Sequence, residues 1–295
     1  MNPIKRNYIP GSEWLYVKIY SGFSFCEKLL NSDIYHLTRQ LLKENLIEKW
    51  FFVRFNDSDF HLRIRFQLKN IEEFGRVISI INKKFEKYIG NIVDKIQLDT
   101  YKRELERYRP YLIETIESIF FIESTSMLKV LRRLDNNRDK ENYRWLLGLK
   151  IINDYLGIFM FDDYAKLEFL KEISSDYKME FGNDKNNLLE MRNKYRQNKV
   201  LIEDMLSGAY FDREFKRIVI CAEFSVETTG NLHKIKDKLS VQKENLYLKS
   251  IIRSIIHMMM NRLFVFKNRM YELVLYDFLY MYYIAKIGKL KKRVY

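Results

Sequence analysis

The stretch Phe60-His61-Leu62-Arg63-Ile64-Arg65-Phe66 alternates strictly between apolar and basic side chains. Successive side chains of an extended chain point to opposite faces, so His61, Arg63 and Arg65 share one face of a strand. The ordinary account of three basic groups in a row is a wet sheet face. The alternative is an anionic ligand, or a reaction that builds negative charge. Two other segments carry residue types that could do chemistry. In Asp99–Tyr108 (DTYKRELERY), a helical second half puts Glu104 and Arg107 one turn apart on one face, and Arg103 and Glu106 nearly so. Such pairs are by default surface ion pairs that contribute little. In Ser254–Arg262 (SIIHMMMNR), His257 sits in a nearly apolar helix, with Ser254 one turn before it and Asn261 one turn after. A buried histidine that satisfies a hydrogen bond is the ordinary reading; a group that moves protons near neutrality is the other. Met258, Met259 and Met260 read as core packing.

Several chemistries find no footing. There is no CxxC, HExxH, glycine-rich phosphate loop or GxSxG, so no metal and no cofactor is expected. Cys26 and Cys221 give no disulfide framework, which suits a reducing compartment. The net charge of +13 favours an acidic partner, whether RNA, an anionic membrane surface or an acidic peptide; the alternative account is a lysine-rich bias spread over solvated helix faces. MNPIKRNYIPGSEW lacks the apolar run of a signal peptide. His257, Asn261, Arg262 and Asp277 interrupt the late apolar segments before a membrane span is reached. A soluble, cytoplasmic protein is expected.

The elements that must position these groups follow from periodicity. After a turn at Pro10-Gly11-Ser12, Glu13–Ser21 alternates as a strand. Phe23–Leu46 predicts helix in one or two pieces, and Trp50–Phe55 a second strand. Asn56–Asp59 is a polar turn that closes Trp50–Phe55 and Phe60–Phe66 into a hairpin. Ile71–Tyr88 predicts an amphipathic helix and Ile92–Tyr101 another strand. Beyond Pro110, the last of 3 prolines, the pattern turns helical. Helices are expected over 112–121, 127–134, 143–161, 164–181, 188–206, 244–264 and 268–287, while Val219–Val226 fits either a short strand or the middle of a helix. The expectation is one α+β domain over residues 1–295: an N-terminal antiparallel sheet with helices, then a mainly helical C-terminal part.

The order PGSEWLYVKIY, WFFVRFNDSDFHLRIRF, QLDTYKRELERY, SIIHMMMNRLF resembles the C-terminal elimination domain of class I lanthipeptide (lantibiotic) dehydratases, and the stand-alone proteins similar to it in thiopeptide pathways. The resemblance runs from near Tyr8 to near the C-terminus and is thin in motif between Tyr143 and Val219. It implies a lyase. A separate tRNA-dependent subunit glutamylates Ser or Thr of a precursor peptide (leader plus core), and this domain expels the glutamate, leaving dehydroalanine or dehydrobutyrine. It also implies that Arg63, Arg65, Glu104, Arg107 and His257 are the catalytic set, without a cofactor, and that direct tRNA binding belongs to the glutamylating partner. One departure stands out: the family carries two glycines after ERY, where this chain has Arg109-Pro110.

The implied chemistry suits these residue types. A carboxylate leaves far more readily than hydroxide. Elimination then needs a base for the α-proton and positive charge where an enolate develops on the adjacent amide oxygen. Guanidiniums supply permanent charge and bind carboxylates with two prongs. Arg63 and Arg65 suit the glutamyl carboxylate or the enolate, and Glu104 suits an ion pair that orients Arg107. His257 is either the base or the proton donor to the departing glutamate, with an arginine base as a further option. Two other readings remain: a pyridine-forming [4+2] cyclase of the same fold, expected to have lost part of this set, and a non-catalytic module that binds a leader peptide or RNA through its charge.

Overall fold

Strand β4 (Phe60–Leu68) is an inner strand of a four-stranded antiparallel sheet in a computed structural model of the chain. The structure describes residues 4–57, 59–159, 162–182, 185–209, 212–222, 226–242, 244 and 246–294. With β2 (Trp14–Ser21), β3 (Ile47–Asn56) and β5 (Val93–Asp99), the sheet order is β3-β4-β2-β5. The β3–β4 register runs to Asn56↔Phe60, so Asn56 belongs to the strand pair and the hairpin turn falls at 57–59, of which 58 lies outside the described residues. A second, two-stranded sheet pairs β1 (Asn7–Tyr8) with β6 (Tyr101–Lys102), at the point where the expected strand ending at Tyr101 leaves the main sheet.

Register sets the company of the basic residues. His61, Arg63 and Arg65 lie opposite Phe55, Val53 and Phe51 of β3 on one side, and opposite Tyr20, Lys18 and Tyr16 of β2 on the other. A row of basic side chains is thus bracketed mostly by aromatic rings. The opposite face, with Leu62, Ile64 and Phe66, is buried. Helices α1 (Phe23–Leu29) and α2 (Tyr35–Lys43), joined by a π-helical stretch at Leu30–Ile34, pack on β4 and β3, and α3 (Phe74–Phe85) packs on α2.

The remainder is helical: α4 (Leu105–Tyr108), α5 (Ile113–Asp135), α6 (Lys140–Ile158), α7 (Asp163–Phe181), α8 (Lys185–Ser207), α9 (Arg213–Ala222), α10 (Val226–Val241), α11 (Leu246–Leu263) and α12 (Asn268–Val294). Two expectations are corrected and an open one is decided for its described part. The two helices expected at 112–121 and 127–134 are one, α5; the polar Glu123-Ser124-Thr125 segment between them continues the helix, with Glu123 and Ser124 buried and hydrogen-bonded. Val219 belongs to helix α9, which runs to Ala222; 223–225 lie outside the described residues. Helix α10 has no counterpart among the expected elements; Leu232, Ile235 and Leu239 bury one helical face.

Helix α12 packs along α7, α6 and α8. Gly148 permits the approach of α6 to the α11–α12 corner: a Cβ there would lie 2.9 Å from Leu275 and 3.3 Å from Phe264. One continuous cluster of buried side chains extends from Tyr8 to Tyr283. No helix among the described residues is long and apolar enough to cross a membrane.

Candidate active site

The basic face of β4 is not a wet one. His61 is fully buried and stacks on Tyr20, with ring centroids 4.5 Å apart. Its Nδ1 lies 2.9 Å from the Asp59 carbonyl oxygen, which can only accept, so Nδ1 carries the hydrogen. Its Nε2 is then the acceptor for the Arg63 Nε–H, at 2.9 Å. Burial, with Arg63 alongside, pushes the imidazole pKa down, in keeping with this neutral tautomer. Arg63 also lies over the Phe55 ring at 3.3 Å and meets Asp57 at 3.4 Å. Arg65 is different. Its guanidinium sits among three rings, 4.5 Å from Tyr16, 5.0 Å from Tyr101 and 5.2 Å from Phe51. Its Nε is buried without a hydrogen-bond partner, and no described carboxylate pairs with it. A permanent cation in an aromatic box without a counter-ion is poised for an incoming anion.

Glu104 and Arg107 form the expected pair, at 3.1 Å and about half exposed. Arg103 and Glu106 do not pair, which corrects the sequence reading. The Arg103 N–H bonds the Arg6 carbonyl, continuing the β1–β6 pairing, and this turns the Arg103 side chain toward α5. There it grips buried Glu117 with two prongs, 2.8 and 2.7 Å, while Glu106 pairs with Arg6. Arg109 takes φ 61° and ψ 140°, a conformation that suits the glycine the resemblance expects there. An Arg109–Glu244 ion pair at 3.0 Å and stacking on Tyr247 hold the turn in place.

Helix α11 is seated by the free edge of β3. An edge strand leaves backbone groups unpaired, and here side chains fill them. Ser124 Oγ accepts from Phe52 N, and Arg262 Nε donates to Phe52 O. The Asn261 amide clasps Arg54 at both ends, accepting from its N–H at 2.9 Å and donating to its carbonyl at 2.8 Å. Arg262 is fully buried against Glu123 at 2.6 Å; burial raises the Glu123 pKa to about 7 and the Arg262 charge opposes the rise. Asn261 lies one turn past His257, so this clasp fixes where His257 stands.

His257 is a quarter exposed, and its Nδ1 lies 2.8 Å from Oε1 of Glu272, which is fully buried on α12. Tyr177 donates to the other Glu272 oxygen at 2.5 Å. Nδ1 therefore carries the hydrogen, and no described residue bonds Nε2. Glu272 is absent from the residues the sequence suggests: it lies 15 positions from His257 across a helix–helix corner, a separation that follows no periodic rule.

Arg63, Arg65, Glu104, Arg107 and His257 all line one cavity of about 460 Å³ between the sheet, α4, α5 and α11. Phe51, Phe55, Tyr101, Tyr108 and Phe120 wall it, and Lys102 and Arg269 add cations. Glu104 is the single carboxylate among the residues lining it. That charge balance favours an anionic substrate and disfavours a metal ion. An α-proton brought beside His257 would have a base candidate within a cation-rich, aromatic enclosure.

Residues 14–283 match the sequence model of the family described as lantibiotic biosynthesis dehydratase, C-terminal. The subtilin biosynthesis protein SpaB of Bacillus subtilis is 24% identical over 262 residues, covering 88% of this chain and 24% of SpaB. The chain thus spans about a quarter of the length of that relative. The structure of the tRNA-dependent lantibiotic dehydratase MibB from Microbispora sp. 107891 shares the fold, with a TM-score of 0.66 and 16% identity over 97% of this chain and 29% of that one. So does the pyridine synthase TbtD from thiomuracin biosynthesis, with a TM-score of 0.62 and 10% identity over 92% of this chain and 97% of that one. The chain belongs to the lantibiotic biosynthesis dehydratase C-terminal family.

Proposed function

We propose that this protein eliminates glutamate from glutamylated Ser or Thr residues of a ribosomally made precursor peptide, leaving dehydroalanine or dehydrobutyrine. The observation that carries the reading is that His257, backed by buried Glu272, lines the same cavity as Arg65, a cation with no counter-ion among the described residues. In this reading His257 Nε2 takes the α-proton of the esterified residue. The electron pair passes through an enolate on the adjacent amide oxygen, the Cα=Cβ bond forms, and the Cβ–O bond breaks. Glutamate delivered from tRNA is joined through its α-carboxyl and departs as a carboxylate whose acid is fully ionised at neutral pH, so it needs no proton donor. That favours the base role for His257 over proton donation. The Nδ1–H bond to Glu272 supports the imidazolium that forms. Arg65 and Arg63 stabilise the enolate, and Arg107, oriented by Glu104, holds the glutamyl carboxylate.

A glutamylating partner that uses glutamyl-tRNA supplies the ester, which would place the reaction in the cytoplasm. A second reading is a pyridine-forming cyclase, favoured by the near-complete mutual coverage with TbtD; the presence of all five residues in one cavity favours elimination. Incubating the purified protein with a synthetic peptide carrying a glutamyl-serine ester separates the two. Mass spectrometry that shows glutamate loss and dehydroalanine supports elimination. An untouched ester, with pyridine formed from a peptide bearing two dehydroalanines, supports the cyclase.

A further inference from the structure

Away from the catalytic cavity, α2 and α5 enclose a crevice of about 310 Å³ floored by β3. Tyr35, Arg39 and Leu42 line it from one face of α2; Thr125, Leu128 and Lys129 line it from one face of α5. Trp50 closes it from β3, whose next residue, Phe51, points to the catalytic cavity on the other face of the sheet.

Two polar atoms here have no partner among the described residues. Trp50 is 1% exposed, yet its indole Nε1 bonds no described residue, and neither does the buried Thr125 Oγ1. A buried N–H without an acceptor costs free energy unless something fills it. All the strong groups at this spot can donate: the indole N–H, the Thr125 hydroxyl, the Arg39 guanidinium and the Lys129 ammonium. No described carboxylate pairs with Arg39 or Lys129, and Arg39 spends one donor on the Tyr35 hydroxyl at 2.6 Å. Donors without acceptors, set between Leu42 and Leu128, fit a carboxylate on an apolar stem.

Tyr35 and Lys129 also line a larger adjoining cavity of about 620 Å³, where Arg132 and Arg133 outnumber the one lining carboxylate, Glu214, and the Arg132 guanidinium lies 4.0 Å from the Tyr35 ring. Arg132 gives one donor to the Asn31 carbonyl and Arg133 one to Cys221 Sγ, which leaves their other N–H groups for a ligand. The two cavities share Tyr35 and Lys129 as walls, a paired furrow along α5. Two adjoining cationic spaces favour an extended chain over a small inorganic anion.

We propose that this furrow binds an acidic peptide segment, with one carboxylate accepting hydrogen bonds from Trp50 Nε1 and Thr125 Oγ1 and a further acidic group meeting Arg132 and Arg133. The site is independent of the elimination chemistry and is tested without it. The probe is a fluorescein-labelled peptide of alternating leucine and glutamate, compared with its glutamine counterpart and with inorganic phosphate as competitor, read by anisotropy. A protein of charge +13 attracts any acidic peptide diffusely, so the decisive variants keep the charge: W50F and T125V. The acidic probe is expected to bind, the glutamine probe to bind at least tenfold more weakly, and each variant to lose about tenfold in affinity for the acidic probe. The Trp50 indole N–H resonance, assigned by its absence in W50F, should shift on titration. Equal binding of both probes, competition by phosphate at the peptide's own concentration, or unchanged affinity in T125V would overturn the proposal. T125V carries the test should W50F lower the melting temperature.

Discussion

Glu272→Gln tests the catalytic reading with the least disturbance of the fold. Glutamine has the shape of glutamate and keeps an oxygen for the His257 Nδ1–H, now bonded to Glu272 at 2.8 Å. Its amide NH₂ then faces Tyr177, whose hydroxyl can turn from donor to acceptor. What is lost is a fully buried negative charge behind the imidazole. A hydrogen bond to a charged group contributes about 1.5–3 kcal/mol, and each ~1.4 kcal/mol is tenfold in rate. The expected fall in kcat for glutamate elimination is therefore about 10- to 100-fold. KM should stay within about twofold, because Glu272 does not line the cavity. The assay is timed mass spectrometry on a glutamylated peptide at several concentrations, with circular dichroism melts to confirm an intact fold. A folded variant with wild-type kcat would refute the assignment of His257 as base, since an imidazole that charges in the reaction must feel the loss of its carboxylate.

Three further outcomes follow from the geometry. Arg65→Met leaves an apolar side chain among Tyr16, Phe51 and Tyr101 but removes the cation; elimination should fall about 10²- to 10³-fold with the melting temperature unchanged or higher, and glutamylated peptide should accumulate. Arg109→Gly relieves φ 61° before a proline and should raise stability by about 1 kcal/mol, less the partly buried pair with Glu244, as read by urea unfolding. The folded pKa of His61 is depressed, so its contribution to stability is present above the ordinary histidine value of ~6.5 and is lost as pH falls through the lower folded value. Protonation would also set its Nε2–H against the Arg63 donor. Melting temperature should therefore drop on acidification in that window, and His61→Gln, which keeps one donor and one acceptor without a titrating proton, should flatten that drop.

Local periodicity made much of the site legible. The faultless alternation of Phe60–Phe66 announces a strand and assigns Arg63 and Arg65 to one face, because a period of two needs no knowledge of neighbours. The Glu104–Arg107 pair is visible for the same reason, as a one-turn spacing. What the neighbours decide is not visible. Whether the β4 cations meet water or rings depends on register with β2 and β3, and that register places Tyr16, Phe51 and Phe55 beside them. Arg103 sits at helical spacing from Glu106, yet its backbone continues a two-stranded sheet that sends its side chain to Glu117. The roles of Ser124 and Asn261 follow from the unfilled edge of β3, and that of Glu272 from the packing of α12 against α11; no spacing rule spans those separations. Helix α5 carries the polar Glu123-Ser124-Thr125 between the two expected helices, and there Glu123 and Ser124 make tertiary hydrogen bonds that no local pattern announces.

The central claim is that one cavity joins the guanidiniums of the sheet to the imidazole of α11 for a single elimination. The most direct measurement is a time course of one synthetic glutamyl-serine peptide with wild-type protein and with His257→Phe, followed by mass spectrometry. The account predicts that the wild type converts the ester to dehydroalanine with release of free glutamate, and that the folded variant leaves the ester intact. Conversion by His257→Phe at the wild-type rate would contradict it, as would a wild-type protein that leaves the ester unchanged.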